Sequence, residues 1–206
     1  RFDIAPGALI PRPETEELTR LVITENSGQP SRIADLGTGS GCIAVTLALS
    51  LSDSKVEAWD ISTEALEIAQ RNARKHNAHV NFFQRDILRY DVSELPEESL
   101  DIIVSNPPYI PRDDIPGLDH SVKDYEPHLA LDGGEDGLDF YRAISEKWKA
   151  ALAPGGRLYF EVGIGQADAV LRIMRAQGFG DIQVVKDHND IPRVVFGTLC
   201  GEVYSE

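Results

Sequence analysis

The feature that most constrains the fold is a short apolar strand that leads through a glycine-rich turn into a helix. Residues 32–36 are Arg-Ile-Ala-Asp-Leu, residues 37–41 are Gly-Thr-Gly-Ser-Gly, and residues 42–48 suit a buried helix. Nucleotide-type α/β sheets begin in this way. Glycine tolerates positive φ angles and lets a ligand approach the backbone closely. The pattern therefore predicts an open α/β sheet with a ligand at its first strand–helix turn.

The glycine spacing and the acid after the second strand narrow the class of ligand. The turn lacks the Gly-Lys-Ser/Thr of a phosphate-binding loop, and its alternating glycines differ from the dinucleotide fingerprint. Residues 55–60 form a second apolar strand that ends in Asp60, where a carboxylate can accept hydrogen bonds from both ribose hydroxyls. Together these features favour an adenosine-containing ligand over a purely structural turn.

A third predicted strand, residues 80–84, is followed closely by Asp86 and Ile87. The carboxylate of Asp86 could meet an adenine amine while Ile87 lies against the ring. From the residues alone, a solvated acid in a turn is an equally good interpretation of Asp86.

The β-branched run at residues 102–104 ends abruptly at Asn106-Pro107-Pro108-Tyr109. Two prolines cannot continue a sheet ladder, and they keep the backbone extended at the carboxyl end of the strand. Open α/β sheets bind their ligands at that edge. The Asn106 carboxamide and the Pro107 carbonyl can accept hydrogen bonds from an NH2 group, while Pro108 and Tyr109 offer flat apolar walls. This site suits a planar primary amide or an exocyclic base amine.

Apolar strands alternate with helices along the whole chain, which predicts a doubly wound, mainly parallel sheet. The remaining strands are expected at residues 157–162, 182–185 and 194–199, and the helices outside the glycine turn at residues 13–26, 62–77, 138–152 and 166–177. The last two strands follow each other without a helix, so they form an antiparallel edge hairpin. Residues 110–137 are expected to be a long irregular loop of the kind that serves as a lid or a binding loop.

Composition excludes several classes of protein. The 206 residues contain no apolar run long enough for a membrane span, and the two cysteines, Cys42 and Cys200, suggest a reduced, cytoplasmic setting. The net charge of -14 opposes direct binding to nucleic acid, and the sequence shows no basic patch that could overcome it. It also shows no cluster of metal ligands.

These motifs, taken in order, resemble a class I S-adenosylmethionine-dependent methyltransferase. The resemblance becomes specific through three further stretches: residues 9–16 (Leu-Ile-Pro-Arg-Pro-Glu-Thr-Glu), residues 125–131 (Tyr-Glu-Pro-His-Leu-Ala-Leu) and residues 133–138 (Gly-Gly-Glu-Asp-Gly-Leu). They are similar to the protein-(glutamine-N5) methyltransferases of the HemK/PrmC type, which methylate the glutamine of the Gly-Gly-Gln tripeptide in peptide-chain release factors. The family usually carries a small helical domain ahead of the catalytic one, and that domain is missing from this sequence.

The resemblance implies a Rossmann-like domain at residues 31–206, preceded at residues 1–30 by an arm or hairpin and a helix. It implies a metal-free monomer that binds S-adenosylmethionine and a release factor. The implied catalytic residues, which also bind substrate, are Asn106, Pro107, Pro108 and Tyr109, joined in substrate binding by Arg12, Pro13 and Glu14. The implied cofactor-binding residues are Asp35, Gly37, Thr38, Gly39, Ser40, Gly41, Asp60, Ile61, Asp86, Ile87 and Asn106.

Three other functions stay open on the sequence. A glutamine methyltransferase of a ribosomal protein shares every motif. A DNA or RNA amino-methyltransferase uses the same Asn-Pro-Pro-Tyr logic on a flipped base, although the acidic charge opposes it. A non-catalytic adenosylmethionine-binding module needs only the glycine turn, so an intact Asn106–Tyr109 segment argues against it.

Overall fold

A computed structural model describes residues 2–5, 7–96 and 99–201, and its centre is a seven-stranded sheet. The strands are β1 (Arg32–Leu36), β2 (Lys55–Asp60), β3 (Val80–Gln84), β4 (Leu100–Ser105), β5 (Leu152–Glu161), β6 (Phe179–Lys186) and β7 (Pro192–Leu199). Their spatial order is β3-β2-β1-β4-β5-β7-β6. Only β7 runs opposite to its neighbours, pairing antiparallel with both β5 and β6. The predicted parallel sheet with an antiparallel edge hairpin is confirmed.

Helices cover both faces of this sheet. They are α1 (Pro13–Asn26), α2 (Cys42–Ser50), α3 (Thr63–His76), α4 (His120–Lys123), α5 (His128–Leu131), α6 (Asp139–Lys147) and α7 (Ala167–Ala176). On one face, α1 and α2 bury Leu18, Val22 and Leu47 against the sheet. On the other, α6 and α7 bury Tyr141 and Met174. In the described part of the chain, no helix is long and apolar enough to cross a membrane.

Local sequence signals explain where two of the helices begin and end. α1 starts with Pro13, which is preorganised for the first turn and leaves no unpaired N–H there. α3 starts after Ser62, whose hydroxyl accepts a hydrogen bond from the Ala65 N–H at 3.1 Å. It ends at Asn77, which adopts a left-handed conformation with φ of 56°. Both helices match their predicted bounds.

The structure corrects two predicted bounds around the fifth strand. The helix predicted at residues 138–152 ends at Lys147 and continues as a 3-10 turn, Trp148–Ala151. The fifth strand begins at Leu152 instead of Arg157, because an irregularity lets the Pro154-Gly155-Gly156 segment stay within the strand while Leu152 still pairs with Leu100. The Trp148 ring is buried and donates from Nε1 to the Ile87 carbonyl at 3.2 Å, which fixes the helix end.

Of the two forms expected for the N-terminal segment, an arm or a hairpin, its described residues, 2–5 and 7–12, form an irregular arm without a strand. Arg1 and Pro6 lie outside the described residues. The buried Asn72 of α3 holds the arm: its Oδ1 accepts from the Asp3 N–H at 2.7 Å, and its Nδ2 donates to the carbonyls of Asp3 and Ser40. One side chain thus links the arm, α3 and the glycine turn.

The predicted irregular loop at residues 110–137 contains a 3-10 helix, Arg112–Gly117, besides α4 and α5. Backbone hydrogen bonds join its two ends, from the Ile110 N–H to the Leu131 carbonyl at 3.0 Å and from the Gly133 N–H to the Ile110 carbonyl at 2.9 Å. The segment is therefore a closed, partly helical insertion between β4 and α6.

Candidate active site

A cavity of about 300 Å³ lies at the carboxyl ends of the central strands. The point where strand order reverses, between β1 and β4, is the place where open α/β sheets bind ligands. Residues from the glycine turn, the ends of β2, β3 and β4, the arm and the 110–137 insertion line the cavity. The sequence-predicted residues among them are Gly37, Thr38, Gly39, Ser40, Asp60, Ile61, Asp86, Ile87, Asn106 and Pro108.

Asp60, at the end of β2, lines the cavity and contacts the glycine turn directly. Its Oδ2 accepts from the Gly39 N–H and its Oδ1 from the Ser62 N–H, both at 2.9 Å. Burial raises the pKa of the Asp60 carboxyl, and the backbone N–H groups that bond to it oppose that rise. Each carboxylate oxygen has a second lone pair, so Asp60 can also accept from the hydroxyls of a ribose.

Asp35 and Gly41, which the resemblance assigns to the cofactor, lie behind the turn and do not line the cavity. The Asp35 side chain is fully buried, and its Oδ2 accepts from the Thr38 hydroxyl at 2.6 Å and the Ala44 N–H at 3.1 Å. Burial raises the pKa of this carboxyl to about 7. Asp35 therefore shapes the turn from within by joining it to the first residues of α2.

Substitutions of the last two glycines of the turn are expected to have different effects, one on stability and the other on cofactor binding. A Cβ at Gly41, where φ is 79°, would lie 2.8 Å from the Ala69 Cβ, so Gly41→Ala should lower the free energy of unfolding by about 2–4 kcal/mol. Gly39 also has a positive φ, of 53°, but a Cβ there meets no atom within 4 Å, so Gly39→Ala should lose less stability than Gly41→Ala and instead obstruct the cofactor. Thermal melts with calorimetric titrations of both variants test this; equal melting temperatures would contradict it.

Asp86 and Ile87 follow β3 and line one end of the cavity. Ile87 is buried, and its Cδ1 would lie 3.9 Å from a Cβ at Gly37, so it closes the floor beneath the turn. Asp86 Oδ1 accepts from the Leu88 N–H at 2.9 Å, which leaves Oδ2 to pair with Arg89 at 3.6 Å. Contact of either residue with adenine stays a prediction.

Asn106 lies at the opposite end of the cavity, immediately after β4. Its Nδ2 donates to the Thr15 hydroxyl at 3.2 Å, whereas its Oδ1 is buried and has no hydrogen-bond partner. Pro108 lines the cavity beside it, while Pro107 and Tyr109 do not. A buried acceptor without a partner is costly, which makes this oxygen a candidate to receive an N–H group from a substrate.

The backbone that follows Asn106 packs closely against two groups of glycines. One group lies in residues 133–137, and the other lies after β5. A Cβ at Gly133 would lie 2.8 Å from the Tyr109 Cα, and one at Gly137 would lie within 2.4 Å of the Tyr109 carbonyl oxygen. The Gln166 side chain donates to that carbonyl at 2.9 Å. The motif Gly-Gly-Glu-Asp-Gly thus serves the Pro-Pro-Tyr backbone by close packing.

Arg12, Pro13 and Glu14, implied as substrate-binding residues, do not line the main cavity. Arg12 and Pro13 border a second, open groove beside α1, and Arg12 pairs with the buried Glu126 at 2.5 Å. Glu14 pairs with Arg193 at 3.4 Å. These ion pairs anchor α1 to the 110–137 insertion and to β7, and their contact with a substrate stays a prediction.

The sequence reading missed two polar residues that the fold brings to Asn106. Thr15 lies in the first turn of α1, and Glu161 ends β5. An acid at the carboxyl end of a buried apolar strand was the available signal for Glu161, because the same signal singled out Asp60. Apolar lining from the arm and the insertion was also missed, namely Ala8, Leu9, Leu129 and Ala130. Among the described residues, no three His, Cys, Asp or Glu side chains are grouped to hold a metal ion.

The cavity fits adenosylmethionine by three observations. The backbone at Gly39 is open, Asp60 offers carboxylate lone pairs that a ribose could use, and Asn106 supplies an unused buried acceptor. The fold and this arrangement define a class I S-adenosylmethionine-dependent methyltransferase, and S-adenosylmethionine is its cofactor.

Comparisons with known proteins narrow this class. Residues 15–116 match the methyltransferase small domain family. The chain is 46% identical to a release factor glutamine methyltransferase of Bacteroides thetaiotaomicron over 90% of this chain and 66% of that protein. It is 43% identical to the corresponding protein of Geobacter sulfurreducens over 96% of this chain and 68% of that protein. The chain therefore belongs to the release factor glutamine methyltransferase family, and it spans about two thirds of the length of these relatives.

Solved structures agree on the fold. A methyltransferase of Pyrococcus furiosus superposes with a TM-score of 0.68, covering 97% of this chain and 89% of that one at 18% sequence identity. At this identity the likeness supports the shared architecture, and the predicted Rossmann-like class is confirmed.

Proposed function

We propose that this protein transfers a methyl group from S-adenosylmethionine to the side-chain amide nitrogen of the glutamine in the Gly-Gly-Gln motif of peptide-chain release factors. The relatives that are named for this activity match over almost the whole of this chain. The observation that carries the proposal is the buried, unpaired Oδ1 of Asn106, a residue that lines the same cavity as the glycine turn. A primary amide brings the N–H donor that this atom needs.

The main contribution of the protein to this reaction is to orient the target amide nitrogen. Bound S-adenosylmethionine supplies an electrophilic methyl group on sulfonium sulfur. The amide nitrogen is a poor nucleophile because its lone pair is delocalised into the carbonyl group. In this proposal its two N–H groups donate to Asn106 Oδ1 and to the carbonyl of Pro107, a residue that does not itself line the cavity. These bonds would hold the nitrogen in line with the methyl group. As the new N–C bond forms, the C–S bond breaks, and the nitrogen then loses one proton.

The proposal extends to partners and location. We propose a cytoplasmic monomer that binds the release factor directly and makes no contact with nucleic acid, in keeping with the net charge of -14 and the free thiols of Cys42 and Cys200. Residues 31–206 carry the cofactor site in this proposal. Residues 1–30 contribute the arm and the helix that cover it, since Ala8 and Thr15 line the cavity.

The direct test is incubation of the protein with methyl-labelled adenosylmethionine and a release factor, followed by mass-spectrometric mapping of the modified residue. Label on the glutamine of Gly-Gly-Gln, and none on a release factor with that glutamine changed to glutamate, is the expected result. Ribosomal proteins and single-stranded DNA and RNA oligonucleotides are offered in parallel. Label on one of those substrates alone would overturn the proposal and identify the alternative.

A further inference from the structure

We propose that Thr15 and Glu161 are positioning residues that fix the orientation of the Asn106 side-chain amide, so that its oxygen faces the substrate. This inference rests on the proposed function, because it assigns Asn106 Oδ1 to the target N–H group. It adds to that function two residues that no motif of the sequence connects, since Thr15 and Glu161 are 146 positions apart.

The three side chains form a short hydrogen-bonded row. Ser105 of β4 pairs with Phe160 of β5, so Asn106 and Glu161, the next residues along, lie side by side. The Thr15 hydroxyl of α1 donates to Glu161 Oε2 at 2.7 Å. The Thr15 hydroxyl oxygen in turn accepts from Asn106 Nδ2 at 3.2 Å. Thr15 is only 5% exposed and Glu161 only 3%, so water is largely excluded from the row.

The order of donors and acceptors in this row is set by Glu161. An ionised carboxylate can only accept, so the single hydroxyl hydrogen of Thr15 goes to Glu161. The Thr15 oxygen can then only accept, and the group of Asn106 that faces it must be the NH2 group. The two ends of an asparagine amide have nearly the same shape, so packing alone does not choose between them. The carboxylate makes that choice and leaves Oδ1, which is buried and has no hydrogen-bond partner, as the atom that can accept from a substrate.

Glu161 sits among charged and titratable groups from several elements. Those that act on it or are acted on by it are Glu14 of α1, Arg193 of β7, Tyr141 of α6, Tyr109 after β4 and Cys42 of α2. Arg193 is the cation of this set, but it also pairs with Asp187 at 3.1 Å and with Glu14 at 3.4 Å. Glu161 therefore shares its counter-charge with two other acids.

This setting makes the row sensitive to pH. Burial raises the pKa of Glu161 to about 7, and the Thr15 hydrogen bond, Arg193 and the Asn106 side chain beside it oppose the rise. Below that pH the carboxyl group carries a proton and can donate to Thr15. The Thr15 hydroxyl can then donate to Asn106. The Asn106 side-chain amide can therefore rotate so that its NH2 group, instead of its oxygen, faces the substrate. The rate of methyl transfer should therefore fall as the pH falls through about 7.

Two substitutions at Thr15 separate the hydroxyl from the side-chain volume. Thr15→Val keeps the shape but removes the hydroxyl, and it should lower the single-turnover rate at saturating cofactor by about 10-fold or more, because misorientation in a site can cost up to ~10²-fold. Thr15→Ser keeps the hydroxyl and should retain most of the rate. Thr19→Val is the matched control, since the buried Thr19 hydroxyl donates to the Thr15 carbonyl at 2.9 Å and not to Glu161; it should keep the parental rate.

Glu161→Gln tests the direction of the row even if Thr15→Val folds poorly. An amide at this position can both donate and accept, so the rate at pH 8 should fall and its decline below pH 7 should disappear. Cofactor affinity by calorimetry should stay unchanged in every variant. Parental rates in Thr15→Val, or an unchanged pH profile in Glu161→Gln, would overturn the inference while the parent enzyme still methylates glutamine. A parent that leaves glutamine unmodified would instead overturn the proposed function.

Discussion

Asn106→Ala is expected to lower the rate of methyl transfer by about 10²–10³-fold, the usual cost of losing one preorganised hydrogen-bond partner at a reacting group. Adenosylmethionine affinity should change little, because the glycine turn and Asp60 are untouched. The strand and the two prolines remain, and Ser105 still bonds to the Leu36 carbonyl at 2.6 Å. The test is to measure the single-turnover rate of the variant and, by calorimetry, its affinity for adenosylmethionine.

Asn106→Asp is the sharper comparison because the side chain is nearly isosteric. Its oxygens can still accept from the target amide, so we expect partial activity where the alanine variant has almost none. The structure adds a reason why the activity is only partial: a carboxylate cannot donate to Thr15, and it lies next to Glu161, so like charges raise the pKa of both groups.

A purely structural role for Asn106 makes a different prediction. Both variants would then lose stability together, and activity would fall only as folded protein is lost. Thermal melts on the same samples separate the two cases. A folded Asn106→Ala variant that binds cofactor and methylates at the parental rate would remove Asn106 from the reaction.

The sheet could be predicted from the sequence because each strand carries its own local signal. Residues 32–36, 55–60 and 102–104 are short strand-like segments. The first precedes a glycine turn, the second ends in an acid and the third precedes a proline pair, and parallel strands bring those ends to one edge. The same rule predicted that Asp60 and Asn106 would meet in one cavity, and both line it. Short-range pattern and sheet topology together were sufficient for this part of the site.

Contacts that depend on side-chain packing could not be predicted in this way. The Thr15–Glu161 bond joins the first turn of α1 to the end of β5, and nothing local to either residue specifies the other. The sequence left an arm or a hairpin open before α1, because the Asn72 side chain that bonds to the Asp3 backbone groups lies 69 positions away. The helix after residue 138 was extended too far because its end is fixed by the long-range bond from Trp148 to Ile87.

Asp60→Ala is expected to weaken adenosylmethionine binding by about 1.5–3 kcal/mol, because a ribose in a buried site would lose its charge-assisted acceptor. The structure shows a second contribution to this loss. Asp60 accepts from the Gly39 and Ser62 N–H groups, so its removal also frees the turn that the ligand must approach. Calorimetric titration with adenosylmethionine measures the combined effect.

Asp60→Asn separates the two contributions. Its amide keeps one acceptor oxygen but loses the charge, and only one of the two backbone N–H groups can retain its bond, so its affinity should lie between those of the parent and the alanine variant. At saturating cofactor, methyl transfer by Asp60→Ala should recover most of the parental rate, in contrast to Asn106→Ala, whose defect persists at any cofactor concentration. Unchanged affinity in a folded Asp60→Ala variant would remove Asp60 from the cofactor site. A defect that saturating cofactor fails to relieve would instead mean that the turn also positions the reacting methyl group.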